Sequence, residues 1–230
     1  MPGIRDFVVT QAAPLADGPI KAGITRAMTA YDTLNTERAK VDNNPNYSPT
    51  GKRTETQKFI RSNLHEVVRV TKLAEKMKAK QAEKRKKLQP PAIDKTDVAS
   101  AMLRARACDR LEKMGKGERK AFLASTSDPL YLAAVLEAPN DMIGGIDAET
   151  REMVLAKSIE IAHPGALAAL ERENQSVQML DVAARVLAEH AAEIAGLPNV
   201  RALDELINTA IPDQRHLEAD AERIVSAIAA

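Results

Sequence analysis

Apolar residues recur three and four positions apart along most of this chain and nowhere alternate for a useful length. The pattern predicts helices and no sheet. Its most demanding stretch is Ser48 to Leu88. Ser48 is a good N-cap, Pro49 suits a first helical turn, and nothing after Gly51 breaks a helix until Pro90-Pro91. One helix of about 40 residues reaches roughly 60 Å, about twice the width of a small domain. Its apolar side, Ile60, Leu64, Val67, Val68, Thr71, Ala74 and Met77, occupies only the middle. From Lys76 to Lys87 there are seven Lys/Arg and one acid, Glu83. The distal third is therefore expected to project as a basic spike with no face to bury.

Residues 1–19 hold three prolines and two glycines, yet Ile4, Phe7, Val8 and Val9 are too apolar for a solvated tail. An extended arm docked on a neighbour or on the protein's own body is expected. Ile20 to Val41 reads as a helix ended by the turn cluster DNNPNYSP. After Pro90-Pro91, Asp94 or Thr96 caps a helix to Met114, with Val98, Met102, Leu103, Ala105, Leu111 and Met114 as its apolar stripe and Gly115 placed to close it. Glu118 to Ser125 is a short helix. Asp128 caps the next, which stops at Pro139; after a turn at Gly144-Gly145, Asp147 caps another through about Ala162, broken by His163-Pro164. Residues 164–195 form a second long helix. Val177, Leu180, Ala184, Leu187, Ala191 and Ile194 follow heptad spacing there, a face for an antiparallel helix of the same chain or for another subunit. Helices near Val200 to Ala210 and Asp213 to Ala229 complete the chain. The expected fold is all-α: an elongated helical bundle with one projecting helix of about 40 residues and an extended N-terminal arm. Its expected divisions are the arm (1–19), a helix, turn and long basic helix (20–91), and a bundle (92–230).

Composition narrows this further. Only six of 230 residues are aromatic, and Ala, Leu, Val and Ile supply most of the apolar content, which favours closely packed helices. One cysteine, Cys108, excludes an internal disulfide framework and fits a reducing compartment. No run of about 18 apolar residues exists and the N-terminus lacks a signal-peptide pattern, so a soluble chain without membrane contact is expected. Charge is uneven. Residues 1–146 carry 26 Lys/Arg and 17 Asp/Glu, while residues 147–230 carry 7 and 15. Opposite poles can pair head-to-tail between copies or present a basic end to an anionic surface.

Chemistry is sparse. His65, His163, His190 and His216 share no ligand spacing, Glu160-x-x-His163 is a lone match to a di-iron motif, and one cysteine cannot build a structural zinc site. No nucleophile motif occurs, and Cys108 has Arg104, Arg106 and Arg110 nearby but no local histidine. The expectation is a non-enzymatic protein: no catalytic residue, no cofactor, no metal and no small-molecule substrate.

The segment SDPLYLAAVLEAP, a glycine turn, IDAETREMVLAKSIEIAHP and the Ala/Glu-rich helix after it span roughly Ser127 to Glu193. With the YSPTGKR helix start before them, they resemble small helical proteins encoded among the head and neck genes of tailed bacteriophages. The resemblance implies a virion structural role: a head, portal or neck (head–tail connector) component in several copies. Such a protein is a homo-oligomer docked on other virion proteins, in the virion and in the host cytoplasm during assembly. No functional residue carries over. On this reading Phe7, Val8 and Val9 and the heptad residues of the second long helix are packing positions. The alternative is a nucleic-acid-associated or chaperone-like binding protein. In it Lys76, Lys78, Lys80, Lys84, Arg85, Lys86 and Lys87 meet phosphates, DNA among them, although no aromatic or amide cluster offers base reading.

Overall fold

The computed structural model of the protein describes residues 3–94, 96–138, 143 and 146–227. Those residues form ten α-helices and no strand: α1 (Ile4–Ala12), α2 (Pro19–Asp42), α3 (Pro49–Lys87), α4 (Val98–Lys113), α5 (Lys116–Ser125), α6 (Pro129–Glu137), α7 (Ala148–Ala162), α8 (Ala166–Ile194), α9 (Val200–Ala210) and α10 (Arg215–Ala227). Local chemistry accounts for most of the starts. Ser48 Oγ accepts from Gly51 N at 3.1 Å, Asp128 from Leu130 N, Asp147 from Thr150 N and Asn199 from Ala202 N, each satisfying a free donor of a first turn. Asp97 caps α4 through Ser100 N, one residue past the expected Thr96. At the end of α8, Gly196 has φ 70 and Leu197 N bonds back to Ala192 O, a left-handed termination that glycine suits. The expected stop at Pro139 and turn at Gly144-Gly145 lie outside the described residues.

Contacts divide the chain into two units, Met1–Glu83 with Arg172–Ala230, and Lys84–Glu171. This differs from the expected boundary at 91/92, because the apolar face of α8 joins the core of α2 and α3 rather than that of the residues before it.

In the first unit α2, α3 and α8 form the core. Gly23 marks their closest approach: a Cβ there would stand 2.9 Å from both Leu73 Cδ2 and Leu180 Cδ1. Arg26 pairs with Glu66 at 2.8 Å, and Lys52 reaches Asp42 O, so α2 and α3 form an antiparallel hairpin. The heptad residues Val177, Leu180, Ala184, Leu187, Ala191 and Ile194 are all buried in this core, and the pair of Lys78 with Asp181 fixes α8 against α3. The face was left open between an internal partner and another subunit. Here its own chain covers it.

Two expectations are corrected in this unit. The N-terminal segment is not an extended arm: residues 4–12 are helical, and α1 docks on α2 through Val8 and Ala12, both buried, and through Arg5, which grips Asp32 at 2.7 and 3.1 Å. The prolines and glycines bracket this helix instead of interrupting it. Nor does α3 lose all cover after Lys76. Met77 and Gln81 are buried, and α10 runs alongside. Lys72 pairs with Glu218, Lys76 with Glu222 at 2.5 Å, and Lys80 donates to Val225 O. The acids that meet these lysines lie about 145 residues downstream, beyond the reach of any local pattern.

The second unit packs α4 to α7 around Leu111, Leu123, Leu132, Val135 and Val154. Here the expected stripe of α4 holds at Leu111, which is buried, and at Met114, which packs against that core, but not before them. Arg104, Ala107 and Leu111 are buried, while Val98, Met102 and Leu103 are exposed at 69%, 63% and 49%. Arg104 is held inward by Glu137 of α6, Nε to Oε2 2.5 Å. Gly115 does not close α4 either; at φ −62 it is the N-cap of α5.

Candidate functional site

Helices α4, α5 and α6 all run into extended backbone with no left-handed residue, so their last carbonyls need other partners. A cation from a later helix supplies them in each case. Arg119 of α5 is buried and donates to Leu111 O at 2.6 Å, Met114 O at 2.7 Å and Glu112 O at 3.2 Å. Lys157 of α7 serves the end of α5, donating to Thr126 O at 2.9 Å, Leu123 O at 3.3 Å and Ala124 O. Arg151 donates to Ala138 O at 2.5 Å beyond α6. Positive charge at a helix C-terminus also opposes the helix dipole favourably. These three residues are structural, and they take three cations out of any anion-binding role.

The expected basic site is likewise reduced. Lys76, Lys78 and Lys80 are engaged by Glu222, Asp181 and Val225 O, Lys84 is half-buried, and Arg85, Lys86 and Lys87 are exposed. Of the expected N-terminal packing residues, Val8 is fully buried, whereas Phe7 and Val9 face outward with Ile4, exposed at 51%, 40% and 56%. Helix α1 thus buries the stripe of Val8 and Ala12 and leaves Ile4 and Phe7 exposed on one flank of it and Val9 on the other. The exposed apolar face of α4 is the other such surface, rimmed by Arg106 and Arg110, the latter bonded to Tyr131 Oη at 2.9 Å.

Among the described residues no group of three or more His, Cys, Asp or Glu side chains converges. The Cys108 thiol lies against Ala134 O, and burial pushes its pKa up. The neighbouring arginines do not activate it. His190 on α8 stacks on Tyr31 of α2 at 3.9 Å between ring centroids and meets Asn35 Oδ1 at 3.0 Å and Glu193 at 3.8 Å. Burial lowers its pKa against the opposing pull of Glu193. His65 of α3 and His216 of α10 stand together, ring centroids 6.3 Å apart, though nothing in their spacing announced it. Two clefts of the first unit are shallow: one of about 660 Å³ along α2 and α3, lined by Thr25, Thr29, Thr33 and Asn63, and one of about 550 Å³ among α3, α8 and α9. Neither gathers a nucleophile with a base. No helix among the described residues is long and apolar enough by itself to cross a membrane.

No protein family, no curated protein and no solved structure matches this chain.

Proposed function

We propose that the protein is a non-enzymatic structural component, present in several copies and docked on neighbouring subunits of a tailed-phage virion in its head, portal or neck region. The observation that carries the docking part is α1 with its exposed apolar flanks. Val8 and Ala12 tie the helix to its own body, and Ile4, Phe7 and Val9 remain outside it. A short helix fixed by one stripe, with apolar residues exposed along both flanks of it, offers a partner a pre-ordered surface, so little ordering entropy is lost on association. The placement in a virion rests on the resemblance of Ser127 to Glu193 to phage head and neck proteins.

The first measurement is absolute mass by light scattering at low and high salt. A discrete oligomer that persists in high salt and falls to monomer in Phe7→Asp is expected. A wild-type monomer at every concentration, or an oligomer indifferent to Ile4→Asp and Phe7→Asp, rejects α1 as the subunit contact.

A nucleic-acid-binding reading survives on one observation, the exposed run Arg85, Lys86 and Lys87. It is a smaller claim than the sequence invited. With about three phosphates neutralised, the logarithm of DNA affinity falls against log salt with a slope near −3, whereas all seven cations would give about −6. Reversal of Arg85, Lys86 and Lys87 to Glu abolishes binding on this reading and leaves the mass unchanged.

A further inference from the structure

We propose that His65 and His216 form the protein's half of a site for a divalent transition metal of the zinc, nickel and copper class. His65 lies on the outer side of α3, and His216 lies in the first turn of α10, with ring planes inclined at 43°. The backbone beneath both rings is anchored. Leu64 and Leu217, their sequence neighbours, are buried at 1% and 0% exposure, and the Lys72–Glu218 and Lys76–Glu222 pairs hold the helices in register just beyond.

The metric argument is simple. An imidazole nitrogen binds zinc at about 2.0–2.1 Å, which places the ion about 3.2 Å from the ring centroid. Two imidazoles on one tetrahedral ion then stand about 5.2 Å apart, and even a linear pair cannot exceed about 6.4 Å. The observed 6.3 Å is wider than the tetrahedral spacing by about 1 Å, a gap that side-chain rotation of two exposed rings closes. Both rings are exposed, so an ion can reach them.

The two rings are also free of hydrogen bonds among the described residues. His190 has its ring nitrogens against Asn35 and Glu193, whereas neither His65 nor His216 has such a partner there, and His216 acts on nearby Asp213 only through its charge. The nearby cations are matched by their own carboxylates: Arg69 holds Glu66 at 2.6 Å, and Arg215 grips Asp213 at 2.9 and 3.0 Å. Imidazole selects zinc, nickel and copper over magnesium and calcium, which prefer oxygen donors. Water or a partner's side chain completes the shell, and the bound ion staples α10 to α3.

The test uses the full-length protein, stripped with a chelator and titrated by calorimetry with zinc chloride and, separately, nickel chloride. One ion per chain and a raised Tm are expected, with magnesium chloride producing neither. His65→Ala or His216→Ala, each at an exposed position, weakens binding about tenfold or more, as do the bulkier His65→Gln and His216→Gln, while His163→Ala leaves it unchanged. Absence of zinc and nickel binding overturns the proposal. So does binding that survives both alanine substitutions, or that disappears on Cys108→Ser.

Discussion

Arg119 illustrates how much one side chain can decide. Its guanidinium is buried and donates to three carbonyls at the end of α4, those of Leu111, Glu112 and Met114, while its own Nη1 finds no partner. Removing it takes a charged donor from all three carbonyls, one buried and two partly buried. Arg119→Met is therefore expected to destabilise the unit by about 2–3 kcal/mol, measured by urea unfolding, with Arg119→Lys recovering part of the loss. Gly23 acts through size. A leucine there must displace Leu73 and Leu180, both buried, and is expected to cost about 1–3 kcal/mol through overpacking. His190 acts through protonation. Its pKa is lowered in the fold, so the unfolded chain binds a proton more readily than the folded one. Stability is then highest above the unfolded histidine pKa of about 6.5 and declines as pH falls through it. The expected result is a Tm that drops between pH 7.5 and 5.5, with a shallower slope in His190→Gln.

At the scale of elements, α10 shows that charge patterning along one helix cannot reveal what it faces. Lys72, Lys76 and Lys80 recur every four residues on α3, and Glu218 and Glu222 do the same on α10. Lys76→Glu is expected to speed amide exchange in α10 by placing like charges together, and Glu222→Lys in the same chain should restore protection. A Lys76→Glu variant that exchanges no faster than wild type would show that apolar burial of Leu217 and Ala221 alone holds the helix. Helix α4 teaches the complementary lesson. Its most hydrophobic stripe lies outside, because Arg104 sits on the buried face with Glu137 as partner and conceals that face from any count of apolar residues. The caps were readable because they act within two or three residues; the buried faces were not, because their partners arrive from distant segments.

Across the whole molecule the same effect disposes of the apparent charge polarity. Residues 1–83 carry 14 Lys/Arg and 9 Asp/Glu, and residues 172–230 carry 5 and 10, yet both segments belong to one compact unit. That unit is neutral overall, and the other, with 14 cations and 13 anions, nearly so. Arg38–Glu193, Lys72–Glu218, Lys76–Glu222 and Lys78–Asp181 are the local form of this neutralisation. Head-to-tail attraction between copies has little left to act on. If the chain self-associates through α1, its mass should hold constant from low salt to about 1 M, where the screening length is only about 3 Å. Dissociation on adding salt would return the interface to charged surfaces.

The sequence by itself determined the helical class, the positions of most helix starts and stops, and the membership of the α8 heptad face in a core. Each follows from interactions within a turn or two: a side-chain oxygen on a nearby N–H, a proline without one, a residue at the same azimuth as its fourth neighbour. Only the tertiary structure decided that the N-terminal segment folds onto α2 and that lysines 76, 78 and 80 are occupied. It also placed the cations that close three helices and brought His65 beside His216. These depend on which remote groups share a volume after collapse, and spacing along the chain holds no information about that.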